Sequence, residues 1–308
     1  MGFYKFFLFC SVITTLLFSY INHGVARENV RVVASIAPLH SLVSGLMKKE
    51  SEAHLLVKNG SSPHSYALRP SDARAIQEAD LIFWVGEDLE VFLTKPLRNQ
   101  HNKGQVISLS KVANITLLPI RDSDGHHHEH EHEDSSNDMH VWLNPLNAKA
   151  MVGAMAEALI KVDPENSIFY LQQKKHMLKR LDSLDKDLKR NLSPVKDIPY
   201  MVFHDGFQYF EKQYNLTSVS AVTPSPEHRP GARRIREVRN ALQKYEVQCI
   251  FQEPQFSSSI IRSIIGNNKI KTANIDPLGS SFKPGKEHYF NTMMAIGDSM
   301  VGCLSETK

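Results

Sequence analysis

The sequence predicts an α/β protein of two lobes, each a mainly parallel sheet flanked by helices, bridged by one long rigid helix. Three observations support this. Short apolar runs alternate with helical patterns across residues 31–109 and again across 200–275. A helical stretch without strand-like runs separates the two series. The two halves also share a motif order: His64-Ser-Tyr-Ala-Leu-Arg69-Pro70, a helix and LIFWVG in the first, and His228-Arg229-Pro230, a helix and CIFQE in the second.

In the first half, residues 31–35, 53–57, 81–85 and 105–109 read as short buried strands, with helices at 38–48, 70–79 and 88–95. A helix follows over 146–161. The next opens at Asp163-Pro164-Glu165, where Asp suits the N-cap and Pro the first helical position, and Ser193-Pro194 ends it. At 1.5 Å per residue its roughly 28 residues span about 42 Å, enough for a strut between lobes. Strands resume at 200–203, 217–221, 249–252 and 271–275. The expected organisation is a leader over 1–26, an N-terminal metal-binding lobe over 27–145 and a connector over 146–194 containing the linking helix 163–192. A C-terminal metal-binding lobe follows over 195–308.

Composition excludes several classes. The 308 residues carry 36 Lys+Arg against 33 Asp+Glu, net +3, and are 42% hydrophobic. That is too apolar and too balanced for a disordered chain, and it gives no reason to expect a nucleic-acid partner. Residues 6–26 hold no charged side chain apart from His23, Lys5 precedes them, and Gly24-Val25-Ala26 supplies small residues at a cleavage site. This is the pattern of a secretory signal peptide cut after Ala26. An uncleaved anchor is the alternative, but the apolar core is shorter than the ~20 residues a spanning helix needs. No membrane insertion is expected after cleavage. Of three cysteines, Cys10 leaves with the leader; Cys249 and Cys303 in an exported protein favour a disulfide over two buried thiols.

Ligands of open α/β sheets sit beyond the carboxyl ends of the strands. His64, His140, His204 and Asp276 all fall just past such ends, two from each lobe, so they can converge on one interlobe cleft. Three neutral imidazoles with a carboxylate or a water suit zinc.

The motifs GSSPHSYALRPSDA, DMHVWLNP, VFHDGFQYFEKQYNL, CIFQEPQF and NIDPLG span nearly the whole mature chain in order. Together they resemble the periplasmic zinc-binding components of bacterial ABC importers. The resemblance implies capture of Zn2+ between two lobes and delivery to a membrane permease, by a protein read as a periplasmic monomer and not an enzyme. It assigns His64, His140 and His204 as ligands with Asp276 beside the metal, and it pairs Cys249 with Cys303. Some zinc members carry a Glu immediately before the first ligand; here that position is Pro63, which leaves Asp276 or a water as the fourth ligand. Manganese members commonly hold a carboxylate at the third position, where this chain has His204.

Five of the 15 histidines, His126, His127, His128, His130 and His132, crowd one acidic segment. Residues 122–138 lack packing side chains and read as a disordered loop, a low-affinity metal collector. Its His-Glu-x-x-His string needs a stable amphipathic helix to act as a protease motif, and none is expected here. His228 reads as a surface residue, and His40 and His288 as surface or packing residues. Glu87, Asp88 and Glu90 read as an exposed acidic face. Three rival functions remain: a manganese or iron receptor of the same cluster, discriminated by His204; a secreted zinc hydrolase, which needs Asp205 or Asp276 as general base; and a surface adhesin, against which the missing lipid-attachment cysteine speaks.

Overall fold

In a computed structural model, the structure describes residues 30–48, 52–58, 60–99, 104–121, 137–224, 230–256, 259–266 and 268–305. The leader, His228 and the five clustered histidines from His126 to His132 lie outside the described residues.

The first lobe is a parallel sheet of β1 (Val32–Ala34), β2 (His54–Leu55), β3 (Leu81–Trp84) and β4 (Gln105–Ser108), in the order β2-β1-β3-β4. Its helices are α1 (Ala37–Ser44), α2 (Pro70–Glu78) and α3 (Val91–Arg98). β1 and β3 are almost wholly buried, in keeping with their continuous apolar runs. Each strand lies where the sequence predicts it. α3 starts three residues later than expected because residues 87–89 form a turn.

A short antiparallel hairpin follows, β5 (Leu118–Pro119) with β6 (Asn137–Asp138). Asn137 and Asp138 therefore belong to a strand and not to the disordered loop predicted over 122–138, and Asp138 is buried. The hairpin frames the His-rich segment, whose composition hides the two-residue strands at its edges.

α4 (Pro145–Val162) begins with Asn144 as N-cap, its side chain accepting from the Leu146 amide at 2.8 Å. α5 (Ser167–Leu192) is the long helix, entered through a 3-10 turn at Pro164–Asn166 and left through another at Ser193–Val195. Its 26 residues span about 39 Å. Tyr170, Met177, Leu181, Leu184, Leu188 and Leu192 recur at helical spacing and bury one face. Asp163 flanks the entry but donates no cap; its carboxylate instead accepts from Asn166 and from the Tyr170 hydroxyl.

The second lobe repeats the first. β7 (Tyr200–His204), β8 (Ser218–Thr223), β9 (Cys249–Gln252) and β10 (Lys271–Asn274) are parallel in the order β8-β7-β9-β10, the order of the first sheet. α6 (Gln208–Tyr214), α7 (Ala232–Lys244) and α8 (Ser259–Ile265) connect them. The motif repeat seen in the sequence thus coincides with a shared topology.

α9 (His288–Leu304), unassigned from sequence, closes the fold. It packs on α5 and α1, and a methyl group at Gly297 would stand 2.6 Å from Leu188 Cδ2, so a close approach of α9 to α5 depends on that glycine. Cys249 at the start of β9 is disulfide-bonded to Cys303 near the end of α9. One apolar cluster runs from the first sheet through α1, α4, α5 and α9 into the second. Polar bonds join the lobes as well: Trp142 Nε1 donates to the Pro277 carbonyl at 2.8 Å, and the Tyr289 hydroxyl donates to the Trp142 carbonyl at 2.8 Å. Among the described residues no helix is long and apolar enough to cross a membrane.

One side chain differs from expectation, and two histidines left open are decided. Glu90 is fully buried and not part of an exposed acidic face; it accepts from the Ser35 hydroxyl and from the Val85 and Gly86 amides. Burial pushes its carboxyl up to about 7 against those hydrogen bonds. His40 and His288 are both buried, bonded through Nε2 to the carbonyls of Ala53 and Gly279, so each is a packing residue.

Candidate metal centre

Three loops bring the imidazoles together. His64 lies between β2 and α2, in a segment of Ser, Pro and Gly that follows a two-residue strand. His140 caps the 3-10 turn Val141–Leu143 directly after the hairpin. His204 is the last residue of β7, at the carboxyl end of the central parallel strand. The ring centroids of His140 and His204 are 4.8 Å apart, and that of His64 is 5.5 and 5.6 Å from them. One nitrogen from each lies within 4.8 Å of the others. Among the described residues this is the group of His, Cys, Asp and Glu able to hold a metal ion.

Two of the rings are oriented by carboxylates. His140 Nδ1 is 2.7 Å from Asp138 Oδ1, and His204 Nδ1 is 3.1 Å from Glu253 Oε1. An ionised carboxylate only accepts, so Nδ1 carries the proton in each ring and Nε2 keeps a free lone pair. His64 has no such partner: its Nε2 is buried and has no hydrogen bond. All three therefore present Nε2 to a common point. Gly206 gives that point its room, because a methyl group there would meet His204 Cε1 at 2.7 Å and His140 Nε2 at 3.1 Å.

The electrostatics divide the three imidazoles. Burial, with the other two imidazoles, holds His64 down to about 3. Burial also pulls on His204, but the Glu253 carboxylate, aided by Asp138 and Asp205, outweighs it and raises its pKa above the usual histidine value. His64 is thus neutral and ready to bind at ordinary pH, whereas at His204 the proton competes more strongly with a metal ion. Metal affinity is expected to fall as pH drops through the raised pKa of His204, by up to about tenfold per pH unit, one proton being displaced. Titrations between about pH 5 and 8 check this; a pH-independent affinity contradicts it. In the metal-free protein His64 adds a loss of stability in the same direction. Its folded pKa is depressed, so its contribution to folding is present above about 6.5 and is lost as pH falls.

Asp276 stands apart from the three rings. Its Oδ1 accepts from Gln255 Nε2 at 2.9 Å and the Leu278 amide at 3.0 Å, and its Oδ2 accepts from the amide and hydroxyl of Ser280. It is not in the group of close ligand atoms. The residues that sequence reasoning missed are Asp138, Glu253 and Gly206. Asp138 sits two positions before a ligand, and Glu253 follows β9, the neighbour of β7, so parallel-strand topology places it beside His204.

Replacing Glu253 with Gln keeps the shape and removes the charge. It is expected to weaken metal binding about 10–100-fold, the usual cost of losing an orienting partner. Competition against a chelator measures it, and an unchanged affinity contradicts the role.

Residues 32–303 match the model of the family described as zinc-uptake complex component A, periplasmic. The chain is 33% identical over 324 residues to the high-affinity zinc uptake system protein ZnuA of Brucella suis biovar 1 (strain 1330), covering 95% of this chain and 97% of that protein. It is 32% identical to the protein of the same description from Yersinia pestis, covering 89% and 91%. A crystal structure described as ZnuA superposes with a TM-score of 0.78 at 21% identity, over 90% of this chain and all of that one. The chain belongs to the family of zinc-uptake complex component A, periplasmic.

Proposed function

We propose that this protein captures Zn2+ in the periplasm on His64, His140 and His204 and hands it to the permease of an ABC importer. The observation that carries the reading is the convergence of three Nε2 lone pairs, two fixed by carboxylates and one left bare. An all-imidazole set is borderline-soft and suits zinc over manganese. Nitrogens held tetrahedrally at about 2.0–2.1 Å from zinc stand about 3.4 Å apart. Nitrogens already within 4.8 Å of one another therefore close by on the order of 1 Å, and the loading movement is small. A water completes the coordination, because the Asp276 oxygens are taken by Gln255, Leu278 and Ser280.

The reading is of binding without chemistry. Both carboxylates that a hydrolase would use as base are engaged, Asp276 as above and Asp205 by Arg121. Residues 1–26 act as the export signal, the lobes follow the boundaries predicted above, the mature chain works as a monomer, and the histidines from His126 to His132 collect zinc weakly. Deleting the collector segment should leave the tight site intact while total zinc per molecule falls.

The test is competition between zinc and manganese. Zinc is expected to displace manganese from the wild-type protein, and His204→Ala to lose that preference. Equal binding of the two ions by the wild type overturns the metal assignment.

A further inference from the structure

We infer that Arg121 sets the metal selectivity of the site by withholding the Asp205 carboxylate from the ion, an inference that rests on the reading of the three histidines as the zinc site. Asp205 follows the ligand His204 directly. The Gly206 amide donates back to the His204 carbonyl at 2.9 Å, a tight turn with Asp205 at its corner. Asp205 lines the same cavity as His64, His140 and His204. It is the carboxylate nearest in sequence to a ligand.

Arg121 occupies it. Its Nε donates to both Asp205 oxygens at 3.0 Å, and Nη2 donates to Oδ1. Nη1 reaches onward to Glu211 Oε2 on α6 at 2.7 Å. The two carboxylates are nearly buried, with side chains 10% and 5% exposed, while the guanidinium is 36% exposed. A planar fork of this kind engages both oxygens of a carboxylate, where a lysine would supply only a point charge. Arg121 comes from the end of the β5–β6 hairpin, whose other strand carries the Asp138 that orients His140. The clamp therefore fastens the hairpin behind one ligand to the turn behind another.

The consequence is chemical. With Asp205 engaged, the ion meets the three imidazoles without the carboxylate that directly follows His204. Carboxylate oxygen suits manganese, imidazole suits zinc, and freeing Asp205 beside the ligands shifts the donor set toward the harder ion. Glu211 cannot substitute, being held on α6 behind Arg121 and buried.

Affinities for zinc and manganese ions, each measured against a chelator in the purified chain, test this. Arg121→Met is expected to bring the manganese dissociation constant closer to that of zinc by about tenfold or more. Adding Asp205→Asn is expected to restore the wild-type ratio, and Asp205→Asn alone to leave it unchanged. Should Arg121→Met fail to fold, Arg121→Gln, which keeps a donor without the charge, carries the same expectation. A ratio that does not move, zinc and manganese weakening in parallel, or a shift that Asp205→Asn does not reverse, each overturns the inference. His64→Ala run alongside separates the two levels. Undiminished zinc binding there removes the site reading itself, whereas loss there with a fixed ratio in the Arg121 variants removes only the role of Arg121.

Discussion

His64→Ala is expected to abolish tight zinc binding while leaving the metal-free protein as stable as the wild type, or slightly more so. His64 is the ligand without a structural tie: its Nε2 is buried, has no hydrogen bond, and is kept deprotonated by burial and by the neighbouring imidazoles. A buried polar atom without a partner costs folding free energy, so its removal does not weaken the fold. The ion, by contrast, is left with two ring nitrogens. The loss should exceed the roughly 10–100-fold that follows from disturbing an orienting partner. The second readout is thermal. Zinc at about 1,000 times its dissociation constant stabilises the folded state by about 4.1 kcal/mol, and that increment should vanish in the variant. A variant whose melting temperature still rises with zinc as the wild type's does would contradict the assignment of His64.

Removing the disulfide is expected to have the largest effect on stability. Cys249 and Cys303 are 54 residues apart, and closing a loop of that length contributes about 4 kcal/mol in the chain-entropy account. The bridge joins the amino end of β9 to the last turn of α9, the helix that packs on both α5 and α1. Cys249→Ser with Cys303→Ser should therefore lower the free energy of unfolding in urea by about 4 kcal/mol. Zinc affinity should change little, because Glu253 and His204 lie at the opposite, carboxyl ends of β9 and β7. Equal urea midpoints with and without the bridge would contradict the estimate.

The sequence exposes those parts of this fold that local pattern determines. The eight parallel strands fall on short segments between helical stretches, most of them apolar though β10 is Lys-Thr-Ala-Asn, and the long helix announces itself by Asp163-Pro164 at one end and Ser193-Pro194 at the other. The three imidazoles follow from the rule that ligands gather at the carboxyl ends of parallel strands. What pattern does not show depends on distant partners. Glu90 looks like a surface acid beside Glu87 and Asp88, yet it is buried because the distant Ser35, together with the Val85 and Gly86 amides of its own turn, receives it. Glu253 stands 49 residues from the ring it orients, and the contact exists only because β9 lies beside β7. Asp138 is near in sequence but is masked by the polar run that precedes it. Asp276 shows the converse: its place after a strand resembles that of the histidines, while its oxygens close a turn onto Ser280 and Leu278.

The most direct test of the central claim is X-ray absorption at the zinc edge on the zinc-loaded protein, compared with His140→Ala. The account predicts three imidazole nitrogens and one water oxygen at about 2.0–2.1 Å, with one imidazole lost in the variant. A carboxylate in the zinc shell of the wild-type protein, or an imidazole count that His140→Ala leaves unchanged, would contradict it.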